Sequence, residues 1–456
     1  MLYILLTIFS ILLIYYFYLS LKNRIYTLYA LSLVVSIVGI NIHYGVTMYL
    51  SRFVLILFVI TLIFKKFNFI IKPIWLQIPI ISVVIQILST LISSRIADST
   101  REIFIYLFCM LIFWATIIFS TSILFVTKAI KIYLFTGLIQ ALYGIYQLFG
   151  YTRNWPTYQT LLAGIPMAND RTVDGYFYTG AYSAFRAIGF FSTDVSHFAG
   201  YMAGVLILTL SFIISNRKKI FPYVIFILGI LSLFFSLSRS GIASFFLFGI
   251  PTLFITLKWQ KLLPKFNLFN FKLILIIIII SVFFIFNPSY TEDLPNPIEI
   301  LSSRFEDVFD QQDNGSMGDH VLTRKLGLDA FATHPILGVG SGVNANAWFS
   351  AKYQAGWAGS HSYHIDRLGQ TGILGLLIEW LLMYYILKYM LKGIRVKRFE
   401  KFHKILLIGL FSTYVTIILG NFLYYYYMND FVWFIMGLGV AMTRLILIEE
   451  EKYINL

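Results

Sequence analysis

The stretch Ser360-His361-Ser362-Tyr363-His364-Ile365-Asp366-Arg367-Leu368-Gly369-Gln370-Thr371-Gly372-Ile373-Leu374-Gly375 leads into an apolar run that continues to residue 391. About 20 such residues cross the hydrocarbon core of a bilayer as a helix. The segment is therefore read as a membrane span that begins near Gly372, with two histidines, an aspartate and an arginine at its mouth. Over the 456 residues 59% are hydrophobic and 12% charged, so ionisable groups this dense at a membrane edge are unusual. They read as half of an active site at the membrane surface.

The rest of the chain repeats the apolar part of that pattern. A mean hydropathy of +0.80 excludes a soluble domain. Apolar runs fall at roughly 2–20, 25–42, 49–64, 74–93, 103–120, 130–149, 197–215, 220–236, 241–257, 272–287, 372–391, 404–425 and 430–448. The expected fold is an all-α polytopic integral membrane protein of about 13 (12–14) transmembrane helices, with a large external loop before the last three. The first run lacks a basic leader and a small-residue cleavage site, and reads as a span rather than a removed signal peptide. The division at Ser238-Arg239-Ser240 is the least marked. In these terms 1–150 holds N-terminal spans, 151–196 an external loop, 197–287 further spans, 288–371 the large external loop and 372–456 the closing spans. Cys109, the single cysteine, excludes a disulfide within the chain.

The basic residues test this topology. Alternate connections carry Lys22 and Arg24, Lys65 to Lys72, Lys128 and Lys131, Arg217 to Lys219, Lys258 to Lys272, Lys388 to Lys404, and Arg444 with Lys452. Together these hold 23 of the 35 basic residues, against four acids on the same face. The positive-inside rule then places the N-terminus outside and the C-terminus in the cytoplasm. The net charge of +14 is a topology signal and not a nucleic-acid footprint. The opposite face carries ten arginines and only two lysines, Lys325 and Lys352. Arginine's planar fork suits bidentate phosphate or carboxylate recognition, whereas lysine suffices to hold a loop against anionic lipid. Those arginines either pair with the 16 external acids or bind a phosphate.

The large external loop breaks helix at Pro288, Pro295 and Pro297, then spaces Ile298, Leu301, Phe305, Val308 and Phe309 as an amphipathic helix lying on the membrane. Asp319 is placed to cap a helix running to Thr333, closed by His334-Pro335. Gly338, Gly340 and Gly342 then permit tight turns. Within this frame His361 is a candidate base for a hydroxyl proton, because histidine is the residue type whose ordinary pKa lies nearest neutrality. The alternatives are a surface histidine, or a metal held by His361, His364 and Asp366. Arg239 lies between two apolar runs and either snorkels to the interface or meets a phosphate beside Gly241. Arg324 is off the apolar stripe Leu322, Leu326, Ala330 and Phe331 of its helix, so it is either solvated or aimed at a ligand. Arg186 precedes a Gly-aromatic turn, and Glu379 is intramembrane, hence paired or functional. No Walker-type glycine loop and no Cys/His cluster at zinc spacing is present.

Four motifs in order resemble those of bacterial O-antigen ligases and repeat-unit polymerases. His361-Ser362, nine residues, then Gly372-Ile373-Leu374-Gly375 is similar to a His-[Asn/Ser/Gln]-x9-Gly-x-x-Gly pattern. Arg324 with His334-Pro335-Ile336-Leu337-Gly338-Val339-Gly340 is similar to the family's Arg…His-Pro-Leu-Leu-Gly-Val-Gly segment. Phe235 to Gly241 resembles its Ser-Arg-Gly helix start, and Arg186 to Phe191 its Arg-x-x-Gly-Phe turn. Ser362 stands where asparagine is commonest, and Leu376 where ligases often carry threonine.

The resemblance implies inverting glycosyl transfer from an undecaprenyl-pyrophosphate-linked oligosaccharide, without metal, nucleotide sugar or other cofactor, at the outer face of the bacterial cytoplasmic membrane. It implies His361 as the base and Arg239, Arg324 and Arg186 as pyrophosphate ligands. His364, Asp366, Arg367, Gly372 and Gly375 are supporting residues. Polymerisation of repeat units is the leading expectation and ligation of finished glycan its nearest rival, with a chain-length regulator as a conceivable partner of the former. A flippase of the same lipid-linked glycan would instead line a path through the membrane with cations and show an inverted repeat.

Overall fold

A computed structural model of the chain describes residues 25–37, 41–44, 46–64, 73–93, 96–150, 155–157, 177–179, 184–191, 195–216, 219–263, 316–341, 360–424 and 426–454, with 15, 18, 19 and 23. Within them the apolar runs are helical, because in hydrocarbon a backbone must satisfy its own N–H and C=O groups. In chain order the helices are α1 (Ile25–Val34), α2 (Leu50–Phe64), α3 (Pro73–Leu91), α4 (Ile96–Phe119), α5 (Ile123–Gly150), α6 (Val195–Ser215) and α7 (Ile220–Phe235). They continue with α8 (Arg239–Ala243), α9 (Ile250–Trp259), α10 (Ser316–Thr333), α11 (Tyr363–Arg395), α12 (Lys401–Gly420) and α13 (Asp430–Ile454). A π-helical segment, Ser244–Gly249, joins α8 to α9. Two short antiparallel hairpins pair β1 (Asn41–Tyr44) with β2 (Val46–Tyr49) and β3 (Phe177–Thr179) with β4 (Ala184–Arg186).

Seven of these helical segments are long and apolar enough to cross a membrane: Ser99–Phe119, Ile123–Gln147, Val195–Ser215, Arg239–Trp259, Tyr363–Arg395, Lys401–Gly420 and Asp430–Lys452. Ile25–Val34, Gln77–Leu91 and Ile220–Phe235 are apolar but shorter. The chain is a multi-pass, helical membrane protein, and the described helices do not reach the expected count of about 13. Runs 2–20 and 272–287, and the amphipathic stretch 298–309, lie outside the described residues. The run 25–42 is shorter than expected: its helix stops at Val34, and residues from Asn41 enter the hairpin. Its second half is rich in β-branched residues with Gly39 and Gly45 nearby, a composition that favours a hairpin over a helix.

α6 is the most enclosed span, with 83% of it buried, and it packs on α7, α8 and α12. Small side chains allow that. A Cβ on Gly200 would meet the Tyr426 ring, one on Gly204 would meet Thr413, and one on Gly241 of α8 would meet Ala199, each at 3.0 Å or closer. Inside a bilayer such close packing drives helix association, since lipid tails are as apolar as leucine. On the other side α13 packs on α4 through edge contacts of Trp433 with Tyr106 at 5.1 Å and Phe113 at 6.3 Å.

Two of the arginines are buried by this packing. Arg367 is buried, and its Nε lies 3.5 Å from Glu379 Oε1. Tyr363 donates to the other carboxylate oxygen, and Ser82 of α3 donates to Oε1 at 3.3 Å. The intramembrane acid is thus paired and hydrogen-bonded, the condition under which a buried charge is tolerated. Arg52 is likewise buried beside Asp430, which accepts from Ser51. For Arg367, pairing with an acid accounts for the arginine.

Candidate functional site

The Ser-Arg motif forms a sharp turn. α7 ends at Phe235, Ser236 caps it, and Leu237 takes a left-handed conformation (φ 51°) that reverses the chain. Such a backbone costs of order 1–3 kcal/mol in a non-glycine residue, so its surroundings must hold it. Serines do that. Ser236 Oγ donates to Leu233 O at 2.6 Å and accepts from Ser238 N, and Ser238 accepts from Gly241 N as the N-cap of α8. Arg239, half-buried, is the first residue of α8. Ser238 Oγ is also 3.4 Å from Ser196 Oγ in the first turn of α6.

Arg186 braces this turn from outside. Its Nε donates to Ser236 O at 2.8 Å and its Nη2 to Leu237 O at 3.1 Å. The Gly-Phe turn that follows is held by two glutamines projecting from α5. Gln140 Oε1 accepts from Phe190 N at 2.7 Å, and Gln147 exchanges bonds of 3.3 Å with Ile188 N and Gly189 O. Arg186 therefore stands next to Arg239, but two of its donors hold the turn that carries Arg239.

The two glycine motifs of the large loop dock on each other. α11 is two helices joined across a kink at Gly372, whose φ of 65° is non-helical: the long apolar helix begins there, as expected, and a short helix from Tyr363 precedes it. In an unbroken helix Gly369 O and Gln370 O would accept from Ile373 N and Leu374 N. Here Val339 N donates to Gly369 O (2.9 Å) and Gly340 N to Gln370 O (3.0 Å), while Ile373 N donates to Pro335 O (2.9 Å) and Leu374 N to Ile336 O (3.4 Å). The loop after α10 thus takes over these four backbone groups that the break releases. Ser89 of α3 adds a bond to Gln370 O. The approach is so close that a Cβ on Gly338 would strike the Gln370–Thr371 backbone, and one on Gly372 the Ile336–Leu337 backbone, at under 3.0 Å.

That docking presents α10 and the His361 turn to each other. α10 starts at Ser316 rather than after an Asp319 cap, and it ends at Thr333 as expected. Leu326 and Ala330 are buried, and a Cβ on Gly327 would meet Ile365 of α11. Arg324, off that stripe, is half-buried and its Nη2 reaches Phe422 O at 3.5 Å, in the turn between α12 and α13. His361 has a left-handed backbone (φ 53°) and is half-buried. Asp366 accepts from Ser360 N at 2.8 Å, Ser360 Oγ donates to Ser362 O, and Asn421 O accepts from Tyr363 N at 3.0 Å. Asp366 is therefore a positioning residue for the His361 turn.

The His361 ring lies 5.5 Å from the ring of Tyr424, and His197 of α6 lies 5.4 Å from the same ring. His197 and Tyr424 were not singled out by sequence, since neither lies in a motif; only the packing of α6 against the α12–α13 turn brings them here. His364, three residues on, points elsewhere. It is buried, and its Nδ1 accepts from the Trp380 indole at 3.1 Å. Of the three groups a metal at His361, His364 and Asp366 would use, His364 Nδ1 is taken by Trp380 and Asp366 Oδ1 by Ser360 N. Among the described residues no group of three or more His, Cys, Asp or Glu is gathered to hold a metal.

The expected site residues thus fall into two groups. Arg324 and His361 both contact the α12–α13 turn, through Phe422 and Tyr424, and the Ser236–Arg239 turn is linked to it by Ser196 and His197 in the first turn of α6. His364, Arg367, Gly372 and Gly375 lie in α11, the helix that follows His361. Residues 223–378, about a third of the chain, match a family model described as O-antigen ligase. The matched segment runs from α7 through the Ser-Arg turn, α10 and the His361 turn into α11, in accord with the O-antigen ligase/polymerase superfamily. No curated protein matches the chain.

Proposed function

We propose that this multi-pass membrane protein, whose central third matches the O-antigen ligase family, is an inverting glycosyltransferase that polymerises lipid-linked repeat units. The donor is a glycan on undecaprenyl pyrophosphate, presented at the outer face of the cytoplasmic membrane. The observation that carries this reading is the convergence on the α12–α13 turn. One wall offers a half-buried arginine at a helix start, Arg239; another offers Arg324; and His361 stands on Tyr424 between helices. Cations at fixed positions favour a developing pyrophosphate charge, and a histidine favours a hydroxyl proton.

In the proposed step an acceptor hydroxyl of the growing glycan attacks the anomeric carbon of the donor sugar. The new C–O bond forms as the bond from that carbon to the pyrophosphate breaks on the opposite side, and the electron pair leaves on the pyrophosphate. The hydroxyl proton passes to His361. Arg239 and Arg324 stabilise the departing charge, and Arg186 holds the Ser-Arg turn in register for it. Aromatic residues such as Tyr424 offer faces for sugar rings.

A prediction concerns Arg324. Arg324→Lys keeps the charge but loses the fork that could bridge Phe422 O and a phosphate oxygen. Transfer by the purified variant is expected to fall by at least about tenfold. An unaltered rate would return Arg324 to a solvated helix face.

The test of the whole reading is the surface glycan of a strain lacking the protein. Single repeats on the final anchor identify a polymerase. Polymer left on the lipid carrier identifies a ligase, the second reading, favoured by the description of the family match. Repeat units retained on the cytoplasmic leaflet identify a flippase and overturn glycosyl transfer.

A further inference from the structure

On the lysine-rich side of the helix bundle, away from the His361 turn, a cleft of about 200 Å³ opens between α5, α6, α7 and α12. Its walls are apolar: Phe212 and Ile225 are buried, and Phe402 of α12 packs on Phe212 at 5.8 Å. Its rim is not. Lys131 of α5, Lys219 at the start of α7 and Asn216 at the end of α6 line the same cleft.

Both lysines are exposed, and among the described residues neither makes an ion pair with a carboxylate. Glu400, the residue that precedes α12, is engaged by His403 at 2.7 Å. The first turn of α7 beside the cleft presents Ile220 and Phe221 outward, 79% and 46% exposed. In a chain that crosses a bilayer such residues meet lipid. A free anion would find two ammonium groups here but would gain nothing from aromatic and aliphatic walls. A molecule with one anionic phosphodiester and apolar chains satisfies both.

We propose that this cleft is a binding site for an anionic phospholipid. Its phosphodiester would lie between Lys131, Lys219 and Asn216, and the first part of an acyl chain would rest on Phe212, Ile225 and Phe402. The lipid would tie the start of α7 to α5 and α12, and α7 ends at the turn that carries Arg239. The site is independent of the glycosyl-transfer reading, because it needs only the helices and the bilayer.

The experiment uses the purified full-length protein, delipidated in detergent. Phosphatidylglycerol, phosphatidylcholine and inorganic phosphate are added separately, and retention is read by native mass spectrometry alongside thermal stability. The expected result is retention of phosphatidylglycerol on the order of tenfold above phosphatidylcholine, since each lysine near a lipid phosphate favours the anion. Stability should rise with phosphatidylglycerol and not with inorganic phosphate. In a Lys131→Ala/Lys219→Ala double variant that still elutes as a folded monodisperse species, the preference should disappear. If that variant fails to fold, Lys131→Gln alone, which keeps a polar side chain on α5, is expected to lose most of it. Equal retention of the two lipids overturns the proposal, as does an undiminished preference in a folded variant. Stabilisation by inorganic phosphate alone also overturns it, and indicates a free-anion site.

Discussion

Replacing His361 with alanine is expected to lower glycan transfer by about 10²–10⁴-fold, the range over which a positioned base accelerates proton transfer. Binding of the lipid-linked donor should be largely retained, because the proposed phosphate ligands lie on α8 and α10 and not on the His361 turn. Alanine alone is an ambiguous test, since position 361 has φ 53° and an L side chain is strained there. Asparagine tolerates that conformation better than most residues and cannot act as a base at neutral pH. His361→Asn should therefore match His361→Ala in lost turnover while melting closer to the unaltered protein. Transfer of a radiolabelled glycan by purified variants, alongside thermal melting, separates the two effects. A fully active His361→Asn enzyme would remove His361 from the proton-accepting role.

The second large effect lies away from the chemistry. Gly372→Ala places a methyl group against the Ile336–Leu337 backbone at under 3.0 Å, and it does so at a positive φ. Gly338→Ala does the same from the other side of the interface, against Gln370 and Thr371. Neither obstacle is a side chain that can rotate away. Each substitution is expected to cost about 2–5 kcal/mol, combining left-handed strain with overpacking. The measured outcome should be a lowered melting temperature and a parallel loss of transfer, in contrast to the activity-only loss at His361. Gly375→Ala should cost less, because there the obstructing atoms belong to the Thr371 side chain and the backbone is helical. A Gly372→Ala protein as stable as the original would mean that the four backbone bonds between the loop and the α11 break contribute little.

Much of the fold was readable from residue type alone. The apolar runs announced helices, and the breakpoint at Ser238-Arg239-Ser240, the least marked in sequence, proved to be a true division between α7 and α8. Helix ends were less readable. α5 extends back to Ile123 and takes in Lys128 and Lys131, and α11 extends back to Tyr363. A polar residue ends an apolar run on paper, yet a backbone entering a membrane remains helical through it when its side chain finds a partner, as Arg367 does in Glu379.

The motif residues His361, Arg239 and Arg324 were legible because their side-chain chemistry is unusual in so apolar a chain. His197, Tyr424, Gln140 and Gln147 were not. Each is ordinary in its own stretch, and its place beside the Tyr424 ring or the Gly189 turn comes from helices far apart in sequence. The same holds for the division among the arginines. Residue type alone left Arg52, Arg186, Arg239, Arg324 and Arg367 equivalent, and only the motif resemblance set Arg186, Arg239 and Arg324 apart. Packing separated them, sending Arg367 to Glu379 and Arg186 to backbone carbonyls, burying Arg52 near Asp430, and setting Arg324 against the α12–α13 turn and Arg239 at the start of α8.

By itself the sequence determined that this chain lives in a bilayer as helices, because hydropathy and backbone hydrogen bonding are local properties of each run. It also determined which residue types are available for chemistry. Only the tertiary structure decided that the loop after α10 completes the hydrogen bonds of a broken α11, and that two glycines make this possible. The reason is distance: Gly338 and Gly372 are adjacent only when a loop folds back on a helix that begins more than twenty residues later in the chain. No periodicity within either segment encodes that meeting. The stretch from Ser360 to Gly375 is therefore a helix already under way, interrupted at Gly372 and repaired by another part of the chain, with His361 held at its start.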